Sequence, residues 1–236
     1  MQSGPVVVVQ ASQPNSHFCA DCSSLLEGVL AQHVCPKCSR PQPLRSDESY
    51  FDALGVLKRF KQNEALLEKV FYEVSRALHP DRFTHAGVKV LQRSIQRMSF
   101  LNEAYRTLRS PALLRDYLLH GNGIRAQSGD SPASRPQSSK LPMELAEMWF
   151  EIQDLLLDDP AAAKDRLVGF EKELTELQHA LDQKIQSLEN QYDQKADQGI
   201  EGEDLLVELD EALKKENYLK SMKKDVDRIK KNGHSN

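Results

Sequence analysis

Apolar residues return at spacings of three and four along most of this chain, a rhythm that predicts helices rather than strands. From Asn63, a good N-cap, Leu67, Val70, Phe71, Val74 and Leu78 fall on one side of a predicted helix. Pro80 ends it, because a proline disfavours helical geometry in the residue before it, here His79. A second helix is predicted over about residues 88–109, with Leu91, Ile95, Met98, Leu101, Tyr105 and Leu108 as its apolar stripe. Two such helices pack against each other and leave Pro80 and Asp81 at the tip of their connection.

The rhythm stops after His120. Residues 121–140 are rich in Ser, Pro, Gly and Gln, a composition that cannot bury enough apolar surface to fold, and they read as a flexible linker. It resumes at Leu141. Asp159-Pro160 is a helix-start signal, with Asp as N-cap and Pro in the first turn. Leu167, Phe170, Leu174, Leu177, Leu181, Ile185, Leu188 and Tyr192 then form one stripe on one long helix. Gly199 and Gly202 interrupt it, and Leu206, Leu209, Leu213, Leu219, Met222, Val226 and Ile229 continue it. Three helices over residues 141–231 with short connections predict an antiparallel bundle.

The first bundle helix carries two apolar faces. At about 100° per residue, Leu145, Met148, Trp149, Ile152, Leu155 and Leu156 share the core side. Met143, Ala146, Phe150 and Leu157 lie opposite, flanked by Glu147, Glu151 and Asp154. A surface helix should be apolar on one side only, so the second stripe needs a partner. Two are open to it: another protein, or the module formed by the preceding helices.

Charge separates the two halves. Residues 1–140 hold 18 Lys and Arg against 12 Asp and Glu, whereas residues 141–236 hold 13 against 23. A basic front and an acidic back suggest modules with different partners. The 39% apolar, 28% charged and 6% aromatic content suits a helix-rich globular chain, and no apolar run approaches the roughly 20 residues a bilayer needs. No basic residue precedes Lys37, so neither a secretory nor an Arg-rich transit segment is read. The expectation is a cytoplasmic protein, or one of the mitochondrial matrix if a presequence has been removed.

In a reducing compartment, four cysteines are better read as metal ligands than as disulfides. Cys19-x-x-Cys22 and Cys35-x-x-Cys38, 12 residues apart, carry the spacing of a closed tetrathiolate zinc site. A redox dithiol pair is the alternative. Residues 17–42 lack the apolar content for a core, so the metal is expected to supply their folding energy. Loss of a ligand is then expected to unfold that module alone.

His79-Pro80-Asp81-Arg82-Phe83 stands between amphipathic helices, with Tyr50-Phe51-x-x-Leu54-Gly55 before it. Leu101-Asn102-Glu103-Ala104-Tyr105-Arg106-Thr107-Leu108 follows. The tripeptide alone is a weak signal. In this setting, residues 49–120 resemble a J domain. That resemblance implies that His79, Pro80 and Asp81 dock on the nucleotide-binding domain of a seventy-kilodalton heat-shock chaperone and promote its ATP hydrolysis. Lys69 and Arg76, on the polar side of the preceding helix, would meet an acidic patch there and steer association.

A J domain followed by an acidic three-helix bundle is similar to the HscB-type co-chaperones of iron–sulfur cluster assembly, some of which carry an N-terminal tetracysteine module. The resemblance implies an all-α fold: a J-domain helical hairpin, an antiparallel three-helix bundle behind it, and a small N-terminal zinc knuckle. It also implies an HscA- or DnaK-type chaperone as partner and an IscU-type cluster scaffold as client. Matching Glu151-Ile152 to the family's pattern places Met143, Glu147, Phe150, Glu151 and Asp154 on the client-binding face. The family's usual Phe-Leu-Met-Glu start is replaced here by Met143-Glu144-Leu145-Ala146-Glu147.

Other function classes fare worse. A general folding J protein, whose knuckle and bundle hold other clients, is the alternative within the class. A zinc-ribbon nucleic-acid protein is opposed by the acidic second half and by the lack of a basic stripe interleaved with aromatics. No membrane partner is indicated. Neither a glycine-rich phosphate loop nor a nucleophile–base pair is recognisable, so ATP chemistry would belong to the partner and the chain reads as no enzyme.

Overall fold

The computed structural model describes residues 17–121, 143–158 and 160–232. Most of the linker expected over 121–140, and the N-cap residue Asp159, lie outside the described residues. The fold is all-α apart from one two-residue ribbon. In order, the elements are strands β1 (His17–Phe18) and β2 (Leu25–Leu26) and helices α1 (Val29–His33), α2 (Tyr50–Leu54) and α3 (Glu64–Leu78). A 3-10 turn follows at Pro80–Phe83, then α4 (Val88–Arg109), α5 (Pro111–Gly121), α6 (Met143–Asp158), α7 (Pro160–Asp197) and α8 (Glu203–Asn232).

Local chemistry sets these boundaries. Ser49 and Asp52 form a reciprocal capping box at the start of α2, and Gly55 ends that helix in the left-handed conformation. The Asn63 side chain accepts the Leu66 amide at 3.1 Å and starts α3. Pro111 occupies the first position of α5, where its missing N–H costs nothing.

The chain divides into two compact units. The first runs to Leu118 and also takes in Asp193–Glu201. Its core is Phe51, Leu54, Leu67, Val74, Leu78, Phe83, Val90, Leu101, Ala104, Leu108, Leu114 and Leu118. Stacked rings flank it, Tyr50 on Tyr117 and Phe71 on Tyr105, each with centroids 4.3 Å apart. The Asp193 carboxylate, itself buried, accepts the amides of Phe60 at 2.6 Å and Lys61 at 2.9 Å.

The face that α4 buries differs from the predicted stripe. Val90, Ser94, Arg97, Leu101, Ala104 and Leu108 are buried, whereas Ile95 is exposed. Two polar residues thus occupy the seam, because fixed carbonyls and a carboxylate wait for them there.

The tetracysteine segment belongs to this first unit and is not a separate bead. Helix α1 packs on α2 and α3. A Cβ built on Gly55 would come within 2.0 Å of a Val29 methyl carbon.

The second unit holds Leu119–Tyr192 and the chain from Gly202 onward. Helices α6, α7 and α8 share one core of Ile152, Leu167, Phe170, Leu174, Leu219, Met222 and Val226. Trp149 stacks on Phe170 at 5.4 Å. Lys184–Glu208 and Lys230–Glu171 ion pairs link α7 to α8 at the surface.

Gly55→Ala should therefore destabilise the first unit by about 2–4 kcal/mol, summing a left-handed backbone penalty and overpacking against Val29. Urea unfolding followed by helical circular dichroism measures it, and a neutral substitution would contradict the close approach.

Candidate functional site: a tetracysteine centre joined to a His-Pro-Asp hairpin

The two Cys-x-x-Cys segments adopt the same turn. In each, the first cysteine's carbonyl accepts the amide four residues on: Ser23 to Cys19 at 2.9 Å and Ser39 to Cys35 at 2.9 Å. Each first cysteine's amide donates five residues on, Cys19 to Ser24 at 2.8 Å and Cys35 to Arg40 at 3.0 Å. Ser23 and Ser39 both take the left-handed conformation, with φ of 56°. That is a strained choice for a residue with a Cβ, and here the turn geometry demands it.

The turns bring four thiols into one cluster. Cys19 Sγ lies 3.6 Å from Cys38 Sγ, Cys22 Sγ lies 3.7 Å from Cys35 Sγ, and all four sulfurs are within 4.8 Å of one another. Thiolates held tetrahedrally at about 2.3 Å from an ion sit about 3.8 Å apart, so the cluster has the dimensions of a metal shell. A disulfide would need sulfurs about 2.05 Å apart.

The four thiols are not alike electrostatically. Burial opposes ionisation of Cys35, but hydrogen bonds from Ser24 and the amides of Cys38 and Lys37 outweigh it and bring the thiol down to about 6. The hydrogen bonds of Ser24 lower Cys22 as well. Cys38 is pushed up to about 12 by burial and by its neighbouring thiols. A cation among the sulfurs would favour the thiolate of each, and the four Sγ atoms already lie within 4.8 Å of one another. The residues present therefore fit a tetrahedral metal.

Gln42 closes the cluster from outside. Its buried amide accepts from Ala20 N at 3.0 Å and donates to Cys19 Sγ at 3.4 Å and to the Arg40 carbonyl at 3.0 Å. Behind it lies Arg97 of α4, only 1% exposed. Its Nε donates to the Gln42 carbonyl at 2.6 Å. One terminal nitrogen donates to His33 Nδ1 at 2.9 Å and Glu48 Oε1 at 3.0 Å. The other donates to the Pro43 carbonyl at 2.9 Å and Glu48 Oε2 at 3.0 Å. A guanidinium has five N–H donors, and all five are used. Burial, with Arg97 beside it, drives His33 down to about 3. The ring is then neutral: its Nδ1 accepts from Arg97, and its Nε2–H donates to the Ala53 carbonyl at 2.7 Å.

The segment 17–42, expected to unfold alone when a ligand is lost, is not packed alone: it shares this buried network with a side chain of α4. Its carbonyls and its histidine are built around a side chain of α4, so the segment and the helix pair share one buried arrangement.

Across α4 lies the His79-Pro80-Asp81 loop. His79 is extended (φ −54°, ψ 126°), as the residue before a proline should be. Pro80 deprives the Arg76 carbonyl of its helical donor, and the Arg82 guanidinium approaches it at 3.5 Å instead. The Leu78 carbonyl accepts from the buried Ser94 hydroxyl at 2.5 Å. Asp81 N donates to His79 Nδ1 at 3.4 Å, and Thr84 Oγ1 donates to the Asp81 carbonyl at 3.2 Å. Phe83 anchors the far end in the core. The loop is thus held at both ends while the side chains of His79 and Asp81 stay 55% and 86% exposed. Lys69 and Arg76 are exposed on α3.

On α6 of the second unit, Phe150 is 63% exposed, and Glu147, Glu151 and Asp154 are exposed beside it. Ile152 is buried on the other side, with Met148 and Trp149 packed against the same core. Glu151 pairs with Arg166 of α7 at 2.7 Å. Met143 is the first residue of α6, and its side chain lies outside the described residues.

The residues that periodicity did not bring out are Gln42, Glu48, Ser94 and Arg97. A signal existed: Val90, Ser94, Arg97, Leu101, Ala104 and Leu108 recur at spacings of four and three.

No family model matches this chain. It is similar to the co-chaperone protein HscB homolog of Azoarcus sp., 30% identical over an alignment of 175 positions that covers 61% of this chain and 97% of the relative. The homolog from Aromatoleum aromaticum is 33% identical over 134 residues, 57% of this chain and 68% of the relative. The crystal structure of human co-chaperone protein HscB matches with a TM-score of 0.52 at 20% identity, over 91% of this chain and 98% of that one, a likeness of fold. Among the described residues, no helix is long and apolar enough to cross a membrane.

Elemental analysis of the purified full chain should find one metal ion per chain, and the Cys35→Ser variant should lose it. A metal-free chain with the cysteines paired in disulfides would contradict the metal reading of the cluster.

Proposed function

The chain belongs to the HscB family of co-chaperones, and from that premise we propose that it stimulates the ATPase of a seventy-kilodalton chaperone and delivers an iron–sulfur cluster scaffold to it. The observation that carries this reading is the exposed His79-Pro80-Asp81 loop, braced by Ser94 and Arg82 behind it and by Phe83 ahead of it. A tip fixed before binding loses little conformational freedom on docking, so contact energy goes into the partner's rearrangement. Lys69 and Arg76 lie exposed on the helix leading to the loop, where cations would steer approach to an acidic chaperone surface.

The client would meet α6. Phe150 supplies an exposed aromatic anchor, and Met143, Glu147, Glu151 and Asp154 complete a face that mixes apolar and acidic groups. The scaffold surface that fits it is apolar at its centre and basic at its rim. The ion at the four cysteines is zinc in this reading, because a closed shell of four thiolates is its preferred structural site. Zinc's part there is structural. It neutralises the thiolates, while Cys19, Cys22, Cys35 and Cys38 hold the two turns together.

Replacing His79 with Gln should abolish stimulation of chaperone ATP hydrolysis while stability stays within about 0.5 kcal/mol, since the side chain is exposed. Single-turnover hydrolysis and thermal unfolding measure the two effects, and full stimulation by the folded variant would contradict the loop's role. Phe150→Ala should weaken binding of an IscU-type scaffold by about 2 kcal/mol or more, read by calorimetry, without lowering the melting temperature. Unchanged affinity would move the client surface elsewhere on the bundle. Capture of a broad range of unfolded chains, with no preference for the scaffold, would favour a general folding role.

A further inference from the structure

Arg97 connects two sites that the functional reading treats separately. Three of its five hydrogen bonds go to the tetracysteine side of the unit, to the Gln42 carbonyl, His33 Nδ1 and the Pro43 carbonyl. The other two go to Glu48. Gln42 touches the four-cysteine cluster itself, through Nε2 to Cys19 Sγ. One turn before Arg97 on the same helix, Ser94 holds the carbonyl of Leu78, the residue preceding His79. An unbroken run of contacts thus leads from a candidate metal ligand, through one helix, to the base of the His79-Pro80-Asp81 loop.

We propose that metal occupancy at the four cysteines governs the helix pair carrying His79-Pro80-Asp81, with Arg97 as the coupling residue. The inference rests on the reading of that loop as the chaperone-contacting element and adds a control to it. The physical reason is the burial of the guanidinium. While the metal closes the two cysteine turns, the carbonyls of Gln42 and Pro43 and the ring of His33 are fixed where Arg97 needs them. Once the metal leaves, the two cysteine turns lose their closure and the apolar residues around the cluster are few, Leu26 and Ala31 beside the cysteines themselves, so the acceptors are left to the His33–Ala53 hydrogen bond and the packing of α1 on α2 and α3. Left with Glu48 alone, the guanidinium would have three buried donors without acceptors, a cost that favours hydrating it. Helix α4 must then open at its first half to hydrate Arg97, and that half also carries Ser94. The loop loses its brace together with the metal.

The coupling has a direction that separates it from general loss of stability. The bundle core of Ile152, Leu167, Phe170, Leu174 and Val226 has no member in the first unit and should be indifferent to the metal.

Hydrogen exchange read by mass spectrometry on the full chain tests this, with zinc loaded and with zinc stripped by a chelator. Stripping should accelerate exchange in α3 and in the first half of α4 on the order of a hundredfold, with peptides from residues 167–188 unchanged. Arg97→Met, made with Glu48→Gln so that no carboxylate is left buried without its counter-charge, removes the demand for those acceptors, so in that variant α3 and α4 should exchange alike with and without zinc. Acceleration of equal size in that double variant would overturn the proposal. So would unchanged exchange of α3 and α4 in the stripped native chain, a comparison that needs no variant to fold. Chaperone ATPase stimulation, measured on the same two samples, should fall with the metal. If the zinc-loaded chain stimulates no chaperone at all, the functional reading fails, and the exchange data still decide the coupling.

Discussion

One buried guanidinium sets the terms for the first unit. Arg97 would be costly in a core on its own, since a desolvated cation must have every donor met. All five are met here, and the partners come from three stretches of chain: His33, the Gln42–Pro43 carbonyls, and Glu48. Meeting that demand fixes how the tetracysteine segment sits on α4. The turn after α2 is fixed in the same region, because Gly55 must leave room for Val29.

The functional loop depends on the same helix by a smaller version of the same requirement. A proline at position 80 ends α3 abruptly and leaves carbonyls without helical donors. Arg82 serves that of Arg76, and Ser94 serves that of Leu78. Polar groups inside the seam of α4 therefore hold both the tetracysteine segment and the base of the loop, and the apolar residues between them supply the packing. The second unit is built on other terms. Its helices share an uninterrupted apolar core, and the exposed Phe150 side of α6, proposed as its client face, is one the core does not use.

Much of this was legible in the sequence where the physics is local. The N-cap at Asn63, the break before Pro80, the extent of α4 and the start of α7 at Pro160 follow from capping and proline geometry within a few residues. The convergence of four sulfurs follows from spacing, although nothing in the spacing revealed that Ser23 and Ser39 must both adopt left-handed backbone. What escaped was non-local. A stripe of apolar residues includes Ile95 and passes over Arg97, and although Arg97 shares the spacing of the buried face, only tertiary structure supplies the carbonyls of residues 42 and 43 that it meets. The packing of residues 17–42 against α4 was hidden for the same reason. A segment poor in apolar residues can still be bound firmly to a neighbour through hydrogen bonds that hydropathy does not register.

The account stands most directly on a double-mutant cycle between Cys35→Ser and Arg97→Met, with urea unfolding of the first unit as the readout. Cys35→Ser should be costly in the native background and much cheaper when Met replaces Arg97, giving a coupling energy of about 1–3 kcal/mol. Effects that add to within about 0.5 kcal/mol would show that the metal site and the helix pair are independent, and would contradict the central place given to Arg97.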